Sequence, residues 1–246
     1  MIPIDEILLF DSTKKIPEIS NLIDPLNYID VTVPIHGLQV NERVFVEDSK
    51  RDQVTAKVKN IGYFCSGNES IPVILRTPKF IGVVVGRLIE LLLRENKINL
   101  TDFRKLKSDW TDRAAERVQP KSSNYFDIFL QERHYRANLN DVAPNGISIY
   151  VAISEPTELD DVINEEIVMP LKIHPYFERC MIKAKVKNIR LVAKNLARLG
   201  LQFIPDRKNT LVLQNYVNHR KEEILKEIQY NFLKLQSVPE TKDLYF

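Results

Sequence analysis

Two arginines four residues apart, Arg113 and Arg117, stand in the stretch WTDRAAERVQP. On a helical turn or in a tight loop, both guanidiniums can serve one anionic, planar ligand through their forked donors. About two dozen residues later comes the run Asp141-Val142-Ala143-Pro144-Asn145-Gly146. A carboxylate at the end of a strand can accept the N1–H and N2–H edge of guanine. Gly146 would let backbone come close to such a ligand. A second basic cluster, Arg133-His134-Tyr135-Arg136, lies on or beside the strand that ends at Asp141. It could add phosphate or base contacts, or be a solvated hairpin. Each fragment alone is commonplace. Arginines at i, i+4 often sit on a solvated turn, and Asp-x-x-x-Asn-Gly is usually a hairpin with Asn145-Gly146 as its turn.

Other chemistries find little support. The four histidines, His36, His134, His174 and His219, have no metal-ligand spacing. No HExxH, GxSxG, P-loop or GxGxxG motif is present, so an enzyme is the least supported class. Cys65 and Cys180 stand outside any CxxC spacing, as buried thiols of a reducing compartment would. With 35 Lys and Arg against 33 Asp and Glu, the net charge of +2 gives no whole-surface field for nucleic acid. The start, MIPIDEILLF, carries Asp5 and Glu6 where a signal peptide would need lysine or arginine. The most apolar stretch, 81–93, is broken by Arg87 and Glu90, against a membrane span. The expected location is the cytoplasm.

The elements that must position these residues read mainly as strands. VTVPI, RVFVED, VTAKVKNIGYF and IPVILRTP are β-prone runs bounded by turn signals, which suggests a small antiparallel barrel in the first half. YFDIFL, YRANLNDV, GISIYVAI, EEIVMPLKI, MIKAKVKNIRLVA and LGLQFI make a second barrel-sized set. Residues 4–10 and 80–96 read as helices, the latter with Arg87, Glu90 and Arg94 as a polar stripe. Leu100-Thr101-Asp102 looks like a further helix start, with Thr101 as N-cap. The tail 211–235 is an amphipathic helix with alternating charge. The hexapeptide AKVKNI occurs at 56–61 and again at 184–189, each preceded by a related segment, VNERVFV and INEEIVM. The repeat implies two domains of one architecture, 1–100 and 113–246, joined by a linker at 101–112. At 246 residues, each half is long enough to bury its own core. What one half has and the other lacks should then mark the site.

Residues 111–235 resemble the PilZ family of bacterial cyclic di-GMP receptors. The family pattern is RxxxR, a gap of a strand or two, then [DN]xSxxG. Arg113 and Arg117 match the first element, Asp141 and Gly146 the second, and the serine position is Ala143. The resemblance implies a six-stranded barrel, with the added N-terminal barrel of flagellar-brake and spirochaete-type members. It also implies a non-enzymatic, ligand-driven switch with cyclic di-GMP as ligand, no cofactor, and a protein partner such as a flagellar-motor or other signalling component. Arg113, Arg117, Asp141, Ala143 and Gly146 would bind the ligand, with Arg133 and Arg136 beside them. Loss of one neutral hydroxyl at Ala143 should weaken binding by a factor of roughly 2–10. A protein-binding adaptor without nucleotide remains open because of Ala143. A nucleic-acid-binding barrel is opposed by the near-neutral charge and the lack of an aromatic–basic stripe.

Overall fold

The structure is a computed structural model that describes residues 12–16, 18–23, 26–65, 71–77, 79, 82–106, 115–172, 180–237 and 244–245. Its strands are β1 (Ser12–Lys15), β2 (Tyr28–Ile35), β3 (Leu38–Lys50), β4 (Gln53–Lys57), β5 (Pro72–Arg76), β6 (Val84–Leu92), β7 (Lys97–Leu106), β8 (Tyr125–Leu130), β9 (Arg133–Ala143), β10 (Gly146–Ala152), β11 (Glu166–Leu171), β12 (Cys180–Ala193), β13 (Leu196–Phe203) and β14 (Leu244–Tyr245). One long helix, α1 (Arg207–Gln236), follows β13. The chain divides into two compact units. The first is Met1–Ile35 with Gln39–Arg113 and Ile224–Phe246; the second is His36–Leu38 with Ala114–Glu223. The expected N-terminal helix at 4–10 lies outside the described residues.

In the first unit the strands run β2-β3-β4-β7-β6-β5, and β5 pairs back onto β2, so the barrel is closed. Val31, Val44, Val54, Leu88, Ile98 and Leu100 alternate inward and are buried. In the second unit the order is β8-β9-β10-β13-β12-β11. Its two edges meet through side chains instead of a ladder: the Asn124 amide donates to the Lys172 carbonyl, and the Gln131 N–H donates to Glu165 Oε1 (2.7 Å). This barrel is nearly closed. Taken in chain order, both barrels arrange their strands as first, second, third, sixth, fifth, fourth. The expected mainly β fold of two tandem antiparallel barrels is present.

The hexapeptide repeat is not what relates them. Its first copy begins in β4, the third strand of its barrel, and its second lies in β12, the fifth. The first flanking segment lies in β3, the second strand, and the second runs into β11, the fourth, from Glu166 onward. Each pair does form a hairpin, with Ala56 opposite Val46 and Ala184 opposite Ile167. A half-buried hairpin with one wet face calls for similar residues wherever it sits. The architecture repeats, but these peptides are not its equivalent parts.

The helix expected at 80–96 is also corrected, because β6 occupies Val84–Leu92 and pairs with both β5 and β7. A register shift between Leu88 and Glu90 puts Leu88 and Leu91, three residues apart, on the same buried face. On the opposite face Val83 and Val85 are buried with Ile74 and Leu106. An apolar strand covered on both sides, with one slip of phase, imitates a helical period. The helix start at Leu100-Thr101-Asp102 is likewise a strand, part of β7, where Asp102 takes a positive φ of 52°. Thr101 caps nothing; its hydroxyl donates to the Asp52 carbonyl (2.8 Å). The residues expected as a linker are therefore strand as far as Leu106, and 107–112 lie outside the described residues.

The helix expected at 211–235 is α1. It starts after Asp206, whose carboxylate accepts from the backbone N–H groups of Lys208 (2.9 Å) and Asn209 (3.3 Å). Leu213, Tyr216, Val217, Ile224 and Ile228 form its buried stripe. Cys65 is buried, and burial pushes its thiol up to about 12, so the sulfur is an inert part of the core. Among the described residues no helix is long and apolar enough to cross a membrane, and no group of His, Cys, Asp and Glu could hold a metal ion.

Candidate ligand-binding site

Strands β9, β10, β13 and β12 lie side by side, and their outward positions form one polar face of the second unit. Register sets its composition. Ser148 on β10 stands opposite Asp141 on β9 and Gly200 on β13, and Gly200 stands opposite Asn188 on β12. The inward neighbours Ile147, Ile149, Leu199 and Leu201 are buried in the core. The face is therefore fixed by period-two alternation.

Asp141 is at its centre and is wholly buried, with 0% exposure. Arg117 Nη1 donates to its Oδ1 (3.1 Å), while Arg198 Nη2 (2.8 Å), Ser148 Oγ (2.7 Å) and Asn140 Nδ2 (3.2 Å) all donate to its Oδ2. Arg198 is itself mostly covered, its side chain 13% exposed, and Nη2 also reaches Ser148 Oγ (3.2 Å). These contacts from arginines and neutral donors to one buried carboxylate make a charge-assisted network. Beside it, Tyr150 OH and Asn140 Oδ1 are buried without a hydrogen-bond partner among the described residues. Burial raises the Tyr150 phenol above its ordinary value, against the lowering influence of Arg198.

A cleft of about 180 Å³ opens next to this network, lined by Arg117, Asn145, Gly146, Lys187, Asn188 and Gly200 among others. Gly146 forms part of its wall, and the reason differs from the expected one. A Cβ there would collide with the Leu201 carbonyl of β13, so the glycine is required by strand packing in the first place. The hairpin turn is Pro144-Asn145, with Gly146 already the first residue of β10. Ala143 is wholly buried and pairs with Gly146. At Gly200 a Cβ would run into the Asn188 side chain, which crosses the strand at that point.

The structure thus brings Arg117, Asp141, Ala143 and Gly146 to one place, although Arg117 and Asp141 are 24 residues apart. Arg113 lies outside the described residues. Arg133 and Arg136 begin the other end of β9. There the Arg136 guanidinium donates to Asp127 (3.0 Å) and lies over the Tyr125 ring (5.8 Å), and it holds the Asp127 carboxyl below its ordinary value. Sequence reasoning missed Arg198, Ser148, Asn140 and Asn188. The alternation in LARLGLQF was a usable signal for the first, since it sets Arg198 and Gly200 opposite Leu199 and Leu201.

The corresponding face of the first barrel, on β4, β7 and β6, is built differently. There Thr55 donates to Asn99 Oδ1 (2.6 Å) and the Asn99 amide donates to Glu90, a neutral chain ending on one carboxylate. No arginine converges on an aspartate in that row of described residues. The contrast between the two barrels marks the second one.

No family model and no curated protein matches the sequence. The chain is similar in fold to solved structures of cyclic di-GMP complexes and PilZ domains. They include the MrkH–c-di-GMP complex of K. pneumonia, at 9% identity and a TM-score of 0.43 over 82% of this chain and 90% of that one. YcgR of Escherichia coli in complex with c-di-GMP matches at 11% identity and a TM-score of 0.40, over 82% and 88% of the two chains. The PilZ domain of YcgR with c-di-GMP matches at 15% identity and a TM-score of 0.37, over 48% of this chain and 98% of that one. At such identities no residue role passes from one chain to the other, so the functional reading rests on the geometry of the site.

Proposed function

We propose that this chain is a cyclic di-GMP-binding effector of the PilZ type, working by binding and not by catalysis. The observation that carries the reading is the meeting of Arg117 and Asp141 beside a cleft on the second barrel, across 24 residues of sequence. A nucleotide with phosphates and guanine edges needs forked cations and a carboxylate acceptor within one small area. Arg117, 30% exposed, is the member of the network that can turn to a phosphate. Once it does, Asp141 Oδ1 gives up that contact and can accept from a guanine N–H, while Arg198, Ser148 and Asn140 hold the other oxygen in place. Arg113 is the second forked cation of this proposal. The test is a calorimetric titration of the full chain with cyclic di-GMP. Saturable binding is expected, and none at millimolar ligand would leave the protein-binding adaptor instead.

Ala143 offers a probe of the same site. Ala143→Ser should tighten cyclic di-GMP binding by up to about tenfold, the worth of one neutral hydrogen bond. A buried hydroxyl that finds no partner costs stability instead. Weaker binding by this variant would therefore contradict the proposed arrangement of the strand end after Asp141.

The output of the effector is a change in how its two units are arranged, presented to a protein partner. A ligand shifts such an equilibrium only by the difference in its affinity for the two arrangements. Small-angle scattering at saturating ligand should give a changed radius of gyration or a narrower distance distribution. Backbone amides at 108–120 should exchange more slowly in that state. Unchanged scattering and exchange at demonstrated saturation would leave a binding module without a switch.

A further inference from the structure

The short segment that carries Arg117 is gripped from two sides within the second unit. On one side Val118 makes a paired bridge to Val142 of β9, with an N–H to carbonyl distance of 2.9 Å in each direction. On the other side the first half of α1 takes hold of both neighbours of the Arg117–Val118 pair. Lys221 Nζ donates to Glu116 Oε1 (2.6 Å), and Arg220 Nε donates to the Gln119 carbonyl (3.1 Å). Arg220 is nearly buried, its side chain 4% exposed, and its Nη1 also donates to Glu223 (3.2 Å), which fixes the plane of the guanidinium. The anchors at 116 and 119 bracket Arg117, so the backbone from which it reaches Asp141 is set by the helix as well as by the barrel.

We infer that Arg220, assisted by Lys221, is a positioning residue for Arg117, so that α1 controls the affinity of the ligand site without touching the ligand. The inference rests on the reading of that site as a ligand site. The two anchors differ in weight. The Lys221–Glu116 pair is half exposed, at 37% and 51%, and solvent screens it. The Arg220–Gln119 bond is covered and binds the backbone itself. A segment already ordered before binding loses less freedom when the ligand arrives, and a released one must be ordered at that moment. Coupling of this kind is reciprocal: ligand on the barrel must steady the first half of α1 to the same extent.

The experiment compares the full chain with Arg220→Lys, Lys221→Ala and a charge exchange, Lys221→Glu with Glu116→Lys. Arg220→Lys keeps a cation but loses the fork that reaches Gln119 and Glu223 together, and it is milder than a truncation that could unfold the helix. Hydrogen exchange is measured first, with no ligand added. Amides at 115–119 should exchange at least about fivefold faster in Arg220→Lys, while those of β10 and β13 keep the wild-type rate. Titration with cyclic di-GMP should then show Arg220→Lys binding about 5–10-fold more weakly. Lys221→Ala should lose about twofold, and the charge exchange should recover it. Unchanged exchange at 115–119 in Arg220→Lys overturns the positioning role whatever the ligand does. Faster exchange with wild-type affinity overturns the control of affinity and leaves the site reading intact. If the wild-type chain itself binds nothing, the site reading fails, and the exchange rates alone decide whether α1 positions Arg117.

Discussion

Arg198→Met should destabilise the second barrel by about 3 kcal/mol, because it takes a covered guanidinium away from the buried Asp141 carboxylate. Asp141 has no exposure of its own, so its charge is held by the groups that donate to it. The usual cost of stranding a buried charge is about 3–5 kcal/mol, and the surviving Arg117 contact, which is part-exposed, brings the expectation to the lower end. Asp141→Asn alone should cost less, about 1–2 kcal/mol, since the arginines it strands keep some contact with solvent. The double variant should be far less unstable than the two costs added, with a coupling energy above about 1.5 kcal/mol. Exchange rates of β9, β10 and β13 amides report the opening of this barrel directly. Additive costs would mean that Arg198 and Asp141 do not depend on each other, and the network would not be the centre of the site.

Much of this was legible in the chain. Each strand of the second barrel was written as a short β-prone run between turn signals, and β8 coincides with the expected YFDIFL. Strand existence depends on local alternation, which a sequence displays directly. The failures occurred where burial is not one-sided. At β6 the Val83–Val85 stretch is covered on both faces and a bulge shifts the phase, so period two disappears and a helix is the natural misreading. At Thr101-Asp102 a bulge residue with positive φ carries the residue types of a helix cap. The AKVKNI repeat led to the right architecture through strands that do not correspond, because hairpins with one wet face share a pattern whatever their place in the barrel.

The site was legible only along the chain and not across it. Arg117 and Asp141 were visible as a spaced motif, and their meeting follows from the hydrogen-bond distance. Arg198 and Ser148 come to Asp141 from β13 and β10 through sheet register, and Arg198 is 57 residues away in sequence. Register depends on turn lengths and bulges along each strand pair, as at Ser148–Ile149 where the β9–β10 pairing slips. A motif reading therefore finds residues spaced along one stretch of chain more readily than those that sheet register brings to them from other strands. Arg133 and Arg136 show the converse: their place in sequence suggests the site, while their place on β9 puts Arg136 against Asp127 and Tyr125.

That difference yields the sharpest binding experiment. Arg117→Ala should weaken cyclic di-GMP by about 2 kcal/mol or more, roughly 30-fold, the loss of a charged hydrogen bond to the ligand. The alanine also removes one donor from Asp141, but Arg198, Ser148 and Asn140 still hold the carboxylate, so the barrel should stay folded. Arg113→Ala should cost a similar amount if both arginines of the pair serve the ligand. Arg136→Ala should change affinity by less than about threefold, because its guanidinium is engaged with Asp127 on an exposed hairpin, where such pairs contribute little. Calorimetry on the full chain can rank all three variants under one salt condition, since screening affects exposed arginines most. A larger loss from Arg136 than from Arg117 would move the ligand to the β8–β9 hairpin. There Tyr125 and Phe129, 55% and 63% exposed, would be the stacking surfaces, and the cleft beside Asp141 would be only a structural feature of the barrel.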